Sequence, residues 1–187
     1  MFLTFIERRG NSMSHHHGPQ KIESTNLRKI ALVGSPNVGK SVIFNNLTGL
    51  YATISNYPGT TVDVSRGKTK VGDEEFEVID TPGMYSLLPI TDDERVGRLL
   101  LLQEKPDIIL HIIDAKNLER MLPQTLQLLE TELPMILVLN IMDEAKNMGI
   151  KIDVNQLETL LEIPVAVTIA TEGQGLDDLK SKVEKYV

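Results

Sequence analysis

The sequence contains no cysteine. That absence removes disulfides, thiolate metal sites and cysteine nucleophiles together, and it leaves the redox compartment unspecified. No apolar run approaches the roughly 20 residues of a membrane-spanning helix. Met1 to Phe5 is apolar but too short for a signal-peptide core, and Glu7, Arg8 and Arg9 follow it. Basic charge is in deficit, with 19 Lys and Arg against 26 Asp and Glu, for a net charge of −7. An acidic chain is a poor general binder of nucleic acid or anionic lipid, so any phosphate site has to be local.

What is present is ordinary for a globular protein: 187 residues, 41% hydrophobic and 24% charged, a size that suits one α/β domain with a single core. Residues 1–27 differ from the rest. They hold a second methionine, Met13, and then Ser14-His15-His16-His17-Gly18-Pro19. Three adjacent histidines can bind metal, but their polar Gly/Pro/Ser setting reads as a leader or tag, outside the mechanism. The domain is expected over residues 28–187.

From Lys29 onward, short apolar runs alternate with amphipathic stretches. Strands are expected at Ile30–Val33, Val62–Val71, Glu75–Ile79, Ile108–Ile113, Met135–Leu139 and Val165–Ile169. Helices are expected at Lys40–Thr48, Thr91–Gln103, Leu122–Glu130, Val154–Leu161 and Leu176–Val187. Gly72-Asp73 reads as a hairpin turn. Thr91 reads as an N-cap, with Glu94 completing a capping box. The alternation predicts an α/β fold with a mainly parallel six-stranded sheet flanked by helices.

Gly34-Ser35-Pro36-Asn37-Val38-Gly39-Lys40-Ser41 matches GxxxxGK[ST], between a strand and a helix. Such a loop turns its N–H groups inward on phosphate, at the positive end of the following helix. Lys40 supplies charge for the β- and γ-phosphates, Ser41 a hydroxyl for Mg²⁺, and Val42 continues the helix. ATPases, kinases and GTPases share this motif.

Asn140-Ile141-Met142-Asp143 supplies the base choice, because it fits the NxxD part of the guanine motif. The Asp143 carboxylate can accept from N1–H and the 2-amino group of guanine, and adenine offers neither there. Asn140 is expected to brace the phosphate loop and the base edge. Ile141 replaces the lysine of NKxD and offers apolar contact without charge. The closing loop Ile169-Ala170-Thr171 departs from the usual Ser-Ala-Lys, with Ile169 in place of serine and the Ala170 N–H available to guanine O6.

Asp80-Thr81-Pro82-Gly83 fits DxxG, with Asp80 holding Mg²⁺ through water and the Gly83 N–H sensing the γ-phosphate. In Gly59-Thr60-Thr61, Thr61 is the first choice for a Mg²⁺ ligand and Thr60 the second. Met84 stands where Ras-like enzymes place a glutamine, and a thioether cannot orient the attacking water. Slow turnover is expected, with a backbone group, a distant side chain or a cation doing that work. Asp92-Asp93-Glu94 reads as helix-start charge rather than iron ligands. His111 reads as a satisfied core histidine.

The segments Asn56-Tyr57-Pro58-Gly59, Asp80 to Leu87, Thr91 to Val96, Pro106-Asp107, Ile113 to Arg120 and Thr125 to Leu128 carry a resemblance. Over residues 28–187 the chain resembles the cytosolic GTPase domain of FeoB, the prokaryotic ferrous-iron transporters. The resemblance implies a Ras-like P-loop G domain with GTP or GDP and Mg²⁺. It also implies potassium activation, with Asn37 as a K⁺ ligand. It implies a helical regulatory domain and a transmembrane part beyond this sequence, in the cell membrane, with this domain cytoplasmic and itself soluble. A homo-oligomer is compatible with it. Met121-Leu122-Pro123-Gln124 departs from the family pattern. A nucleotide-sensing switch with incidental hydrolysis is a second reading. An Era-like RNA-associated GTPase is a third, but no RNA-binding domain or basic surface supports a nucleic-acid partner.

Overall fold

A computed structural model of the chain describes residues 27–49 and 52–186. Residues 1–26 of the expected leader, with their three histidines, lie outside the described residues. Seven strands form one sheet in the order β2-β3-β4-β1-β5-β6-β7. They are β1 Arg28–Val33, β2 Ala52–Asn56, β3 Asp63–Val71, β4 Glu74–Asp80, β5 Ile108–Asp114, β6 Met135–Asn140 and β7 Val165–Val167. The helices are α1 Lys40–Thr48, α2 Asp92–Glu104, α3 Leu118–Leu129, α4 Met142–Asn147, α5 Val154–Leu161 and α6 Leu176–Tyr186.

Strands β4, β1, β5, β6 and β7 run parallel, while β3 runs antiparallel to both β4 and β2 at one side. The seventh strand is β2, an addition to the six expected. Its sequence ATISN is largely exposed and carries no buried alternation, so periodicity had nothing to register. By contrast β5 and β6 are buried at every position, because helices cover both of their faces.

One face of the sheet packs Ile30, Leu32, Leu110, Ile112 and Val138 against Ile43 and Phe44 of α1 and Leu179 and Val183 of α6. The other packs Ala31, Val33, Ile109, Ile113, Leu137 and Leu139 with Leu101 of α2, Leu128 of α3 and Ala145 of α4. A third cluster joins Val62, Val64 and Ile79 to Val96 and Leu100 of α2. Ions reinforce the α2 end. Arg66 contacts Glu77 at 3.2 Å and Glu104 at 2.6 Å, and Lys29 contacts Glu104 at 2.6 Å. Buried pairs of this kind add little net stability but penalise any register that separates them.

Local chemistry sets the element ends. Gly72 has φ 57 at the first position of the two-residue β3–β4 turn, a conformation that strains a side chain. Thr91 caps α2 and forms the capping box with Glu94. Helix α3 starts at Leu118, four residues before its expected start. Pro123 therefore lies inside it and forfeits one ladder bond on an exposed side. The short α4 was not foreseen, since six residues after a buried strand give too little periodicity.

His111 lies in the core as expected, fully buried, but it is not satisfied there. Neither ring nitrogen has a hydrogen-bond partner among the described residues, and burial pushes its pKa down to about 3. A neutral imidazole tolerates this position better than an imidazolium. No helix among the described residues is long and apolar enough to cross a membrane.

Candidate nucleotide-binding site

The parallel strands bring their C-terminal ends to one edge of the sheet, and the sequence-selected residues collect there. The phosphate loop leaves β1 at Gly34 and enters α1 at Lys40. A Cβ on Gly34 would lie 2.2 Å from the Ile112 carbonyl oxygen, so the loop can leave the sheet only through glycine. Asn37 has φ 65, which asparagine tolerates better than most residues. Gly39 has φ 90, and a Cβ there would lie 2.3 Å from Asn140 Nδ2. Ser35 and Val38 are buried, while Pro36, Asn37, Ser41 and Val42 are exposed around the loop.

Lys40 is 8% exposed, yet its Nζ donates only a long bond of 3.5 Å, to the Ser35 carbonyl. Desolvation lowers its pKa, and the nearby Asp80 charge partly restores it. No carboxylate lies within ion-pair distance of this ammonium among the described residues. A buried cation in this state is stabilised by any anion brought beside it.

Asp80 closes the other side. Its Oδ2 accepts from Ser41 Oγ at 2.8 Å, and its buried Oδ1 has no partner among the described residues. Desolvation raises its pKa, against the Ser41 bond and the Lys40 charge. A hydroxyl beside a partly unpaired carboxylate is the donor set a hard divalent cation takes through oxygen. Among the described residues no group of three His, Cys, Asp or Glu could hold a metal ion by itself, so phosphate and water would have to complete the shell. Gly83 touches the phosphate loop: a Cβ there would come within 2.8 Å of Pro36 Cγ.

Met84, next in sequence, turns away from the site. Its side chain is 0% exposed in the core beside Gly97, and its N–H donates to the Gly34 carbonyl at 3.1 Å. The turn at 57–62 lies past the end of β4, because Ser65 pairs with Asp80 and the β2–β3 hairpin tip extends beyond that pair. Within it Gly59 has φ 79, and Thr60 Oγ1 donates to the Tyr57 carbonyl and accepts from Val62 N–H. Thr60 thus closes the turn, whereas Thr61 is exposed and takes no part in it. The turn is anchored to α2, where Tyr57 OH donates to Gln103 at 2.6 Å.

At the base-facing end Asn140 ties three segments together. Its Nδ2 donates to the Val38 carbonyl at 2.9 Å. Its Oδ1 accepts from Thr168 Oγ1 at 3.0 Å and from Ala170 N–H at 3.1 Å. The Ala170 N–H, expected to face guanine O6, is therefore already engaged here, and a base would have to share it. Asn46 of α1 fixes the same residue from the other side, donating to the Ala170 carbonyl at 2.7 Å. Ile169 forms a bridge with Gln174 that closes the loop, and Thr171 is exposed within it. Ile141 has φ 60, an outlier for a β-branched residue, and leads directly into α4. Asp143 is half-buried on α4, and its carboxylate accepts no hydrogen bond from the described residues.

Sequence reasoning missed Asn46 and Thr168, because nothing local distinguishes an asparagine or threonine that meets a distant loop. It also assigned Glu94 only to the cap, whereas its carboxylate accepts from Tyr85 and Ile90 N–H as well.

The strand order, the glycine-shaped phosphate loop and the NxxD turn beside it define a P-loop nucleotide-binding domain with a Ras-like G-domain fold. The comparisons resolve the family. The family model described as "Ferrous iron transport protein B" matches residues 28–183, and the chain belongs to the FeoB family. It is 42% identical over 152 residues to the Fe(2+) transport protein A/Fe(2+) transporter FeoB fusion protein of Porphyromonas gingivalis, covering 81% of this chain and 18% of that protein. It is 38% identical over 161 residues to the Fe(2+) transporter FeoB of Salmonella typhimurium, covering 84% of this chain and 21% of that protein. The chain thus spans about a fifth of the length of these relatives. Among solved structures, the GMPPNP form of the T. maritima FeoB cytosolic domain superposes with a TM-score of 0.82 at 40% identity, covering 86% of this chain and 64% of that one. The FeoB G-domain from Methanococcus jannaschii gives 0.75 at 42% identity, covering 85% and 96%.

Proposed function

We propose that this chain binds guanine nucleotide and hydrolyses GTP slowly to GDP and phosphate. In the longer protein of its relatives it would regulate or drive ferrous-iron uptake from the cytoplasmic face of the membrane. The observation that carries the reading is the Lys40 ammonium, buried with no carboxylate partner among the described residues at the mouth of a loop shaped for phosphate. The Asp143 carboxylate across the same edge accepts no hydrogen bond from the described residues and lies in the field of Lys116, which supports guanine. The T. maritima FeoB domain, described in GDP and GMPPNP forms, supports it too.

Lys40 neutralises the β- and γ-phosphates, and the loop N–H groups from Asn37 to Ser41 orient them. Ser41 and Asp80 fit Mg²⁺, with Thr61 as the group that closes over the γ-phosphate. Such a cation would draw charge from the phosphate oxygens and align them. Gly83 N–H senses the γ-phosphate. Asn37, exposed and free of hydrogen bonds to the described residues, suits K⁺ beside the same oxygens. Buried Met84 leaves the attacking water to another group, which agrees with slow turnover. Asn140 holds the phosphate loop to the base loop, while Ile141, Ile169, Ala170 and Thr171 frame the base.

The test is turnover of GTP and ATP with Mg²⁺, in matched potassium and sodium salts, for wild type and Asp143→Asn. GTP alone should turn over, faster in potassium. Asp143→Asn should lose about 10–100-fold in GTP affinity, the cost of a mismatched buried hydrogen bond, and gain xanthosine nucleotides. Equal turnover of ATP, or unchanged GTP affinity in the variant, defeats the base assignment.

A further inference from the structure

Helix α2 grips the segment that follows Gly83 with one carboxylate. Glu94 Oε1 accepts from Tyr85 N–H at 3.1 Å, and Oε2 accepts from Ile90 N–H at 2.9 Å and Thr91 N–H at 3.3 Å. A capping box accounts only for the Thr91 bond. The other two draw both ends of the loop 85–90 onto a side chain only 7% exposed. The same helix leaves a notch at Gly97, where a Cβ would lie 2.3 Å from Met84 Cε. From α3, Gln124 Nε2 donates to the Met84 carbonyl at 2.7 Å, and Gln127 Oε1 accepts from Leu87 N–H at 2.9 Å.

Apolar burial holds little of this loop: Leu87 packs partly buried against the core. Tyr85, Leu88 and Ile90 are 64%, 72% and 92% exposed. Its position depends on the side-chain bonds just named, and it continues directly from Gly83, which rests on Pro36 of the phosphate loop.

We infer that Glu94 is a positioning residue for nucleotide hydrolysis: by clamping residues 85–90 it fixes where the Gly83 N–H stands relative to the phosphate loop. This rests on the GTPase reading above. Backbone N–H groups, that of Ile90 foremost, hold the Glu94 carboxyl below the usual range, which keeps the acceptor ionised.

The test compares wild type, Glu94→Gln and Glu94→Asp in the whole chain. The readouts are kcat for GTP, Kd for GDP, and hydrogen exchange at Tyr85 and Ile90. An amide has one acceptor oxygen and no charge, so Glu94→Gln should lower kcat about tenfold and speed exchange at both amides about tenfold, as loss of one charged hydrogen bond implies. GDP affinity should stay within about twofold, since GDP lacks the phosphate that Gly83 would meet, and Glu94→Asp should recover part of kcat. Unchanged kcat, unchanged exchange, or kcat and GDP affinity falling together would overturn the inference. Should Glu94→Gln fail to fold, Glu94→Asp carries the same readouts, and wild-type values in both kcat and exchange would defeat it. A wild type that hydrolyses no GTP removes the GTPase reading itself. The clamp is then judged by the ratio of GMPPNP to GDP affinity, which must fall in the variant.

Discussion

The phosphate loop and the base-facing end are both strand-to-helix turns at the same edge of the sheet, but they keep their shapes by different means. The phosphate loop is set by backbone sterics against the strands beside it, at Ile112 of β5 and Asn140 of β6. Gly34 and Gly39 have no room for a Cβ, and Asn37 adopts the left-handed conformation its side chain tolerates. The base-facing end is set by distant side chains. Asn140 joins Val38 to Thr168 and Ala170, Asn46 joins α1 to Ala170, and the turn itself carries a strained isoleucine. A loop made by sterics shows in a short motif. A loop made by long-range hydrogen bonds can lose its motif residues, as at Ile141 and Ile169, and still stand.

Breaking the long-range bonds should therefore cost most. Asn140→Ala removes three buried hydrogen bonds and leaves the Val38 carbonyl and Thr168 hydroxyl unpaired, so urea unfolding should show a loss of about 2–4 kcal/mol. A loss below about 1 kcal/mol would mean that the base-facing end stands without these bonds.

The strand between the two loops offers an intermediate test. His111 on β5 pairs with Val33 of β1 and Leu137 of β6, and its pKa in the fold is about 3. Its folded value lies below the ordinary 6.5, so the unfolded chain binds the extra proton first. This contribution to stability is therefore intact above pH 6.5 and declines as pH falls toward about 3. By pH 5 the loss should amount to about 2 kcal/mol. His111→Leu should flatten that part of the stability–pH curve, measured by urea unfolding at pH 5 and pH 7. An unaltered slope would place the acid sensitivity elsewhere.

The smallest effect should be a gain. Ile141→Asn puts a residue that accepts the left-handed conformation where φ is 60, and should stabilise the domain by about 1 kcal/mol in the same unfolding assay. A loss instead would show that apolar contact at Ile141 outweighs backbone strain.

The core strands were legible because continuous apolar runs such as Ile108–Ile113 and Met135–Leu139 have few alternatives to burial on both faces. The capping box at Thr91 and the turn at Gly72 were legible because their chemistry is local. Strand β2 was not, since it is an exposed edge without a hydrophobic rhythm. The satisfied state expected for His111 was not met either, because partners for a buried imidazole depend on what the opposite helix places there. The second role of Glu94 was hidden for a related reason: the capping signature explains the residue fully until the loop 85–90 is seen folded back on it.

By itself the sequence determined the α/β class, the order of the main elements and the phosphate-loop motif, and it singled out Asp80, Asn140 and Asp143 as candidates, all from short-range spacing and backbone sterics. Only the tertiary structure decided that Met84 is buried, that Thr60 is spent closing its own turn while Thr61 stays free, and that Asn46, Glu94 and Thr168 hold the loops. Those outcomes turn on which distant polar groups meet once the sheet is assembled, and a hydrogen bond across 28 or 124 residues leaves no periodicity in the chain that makes it.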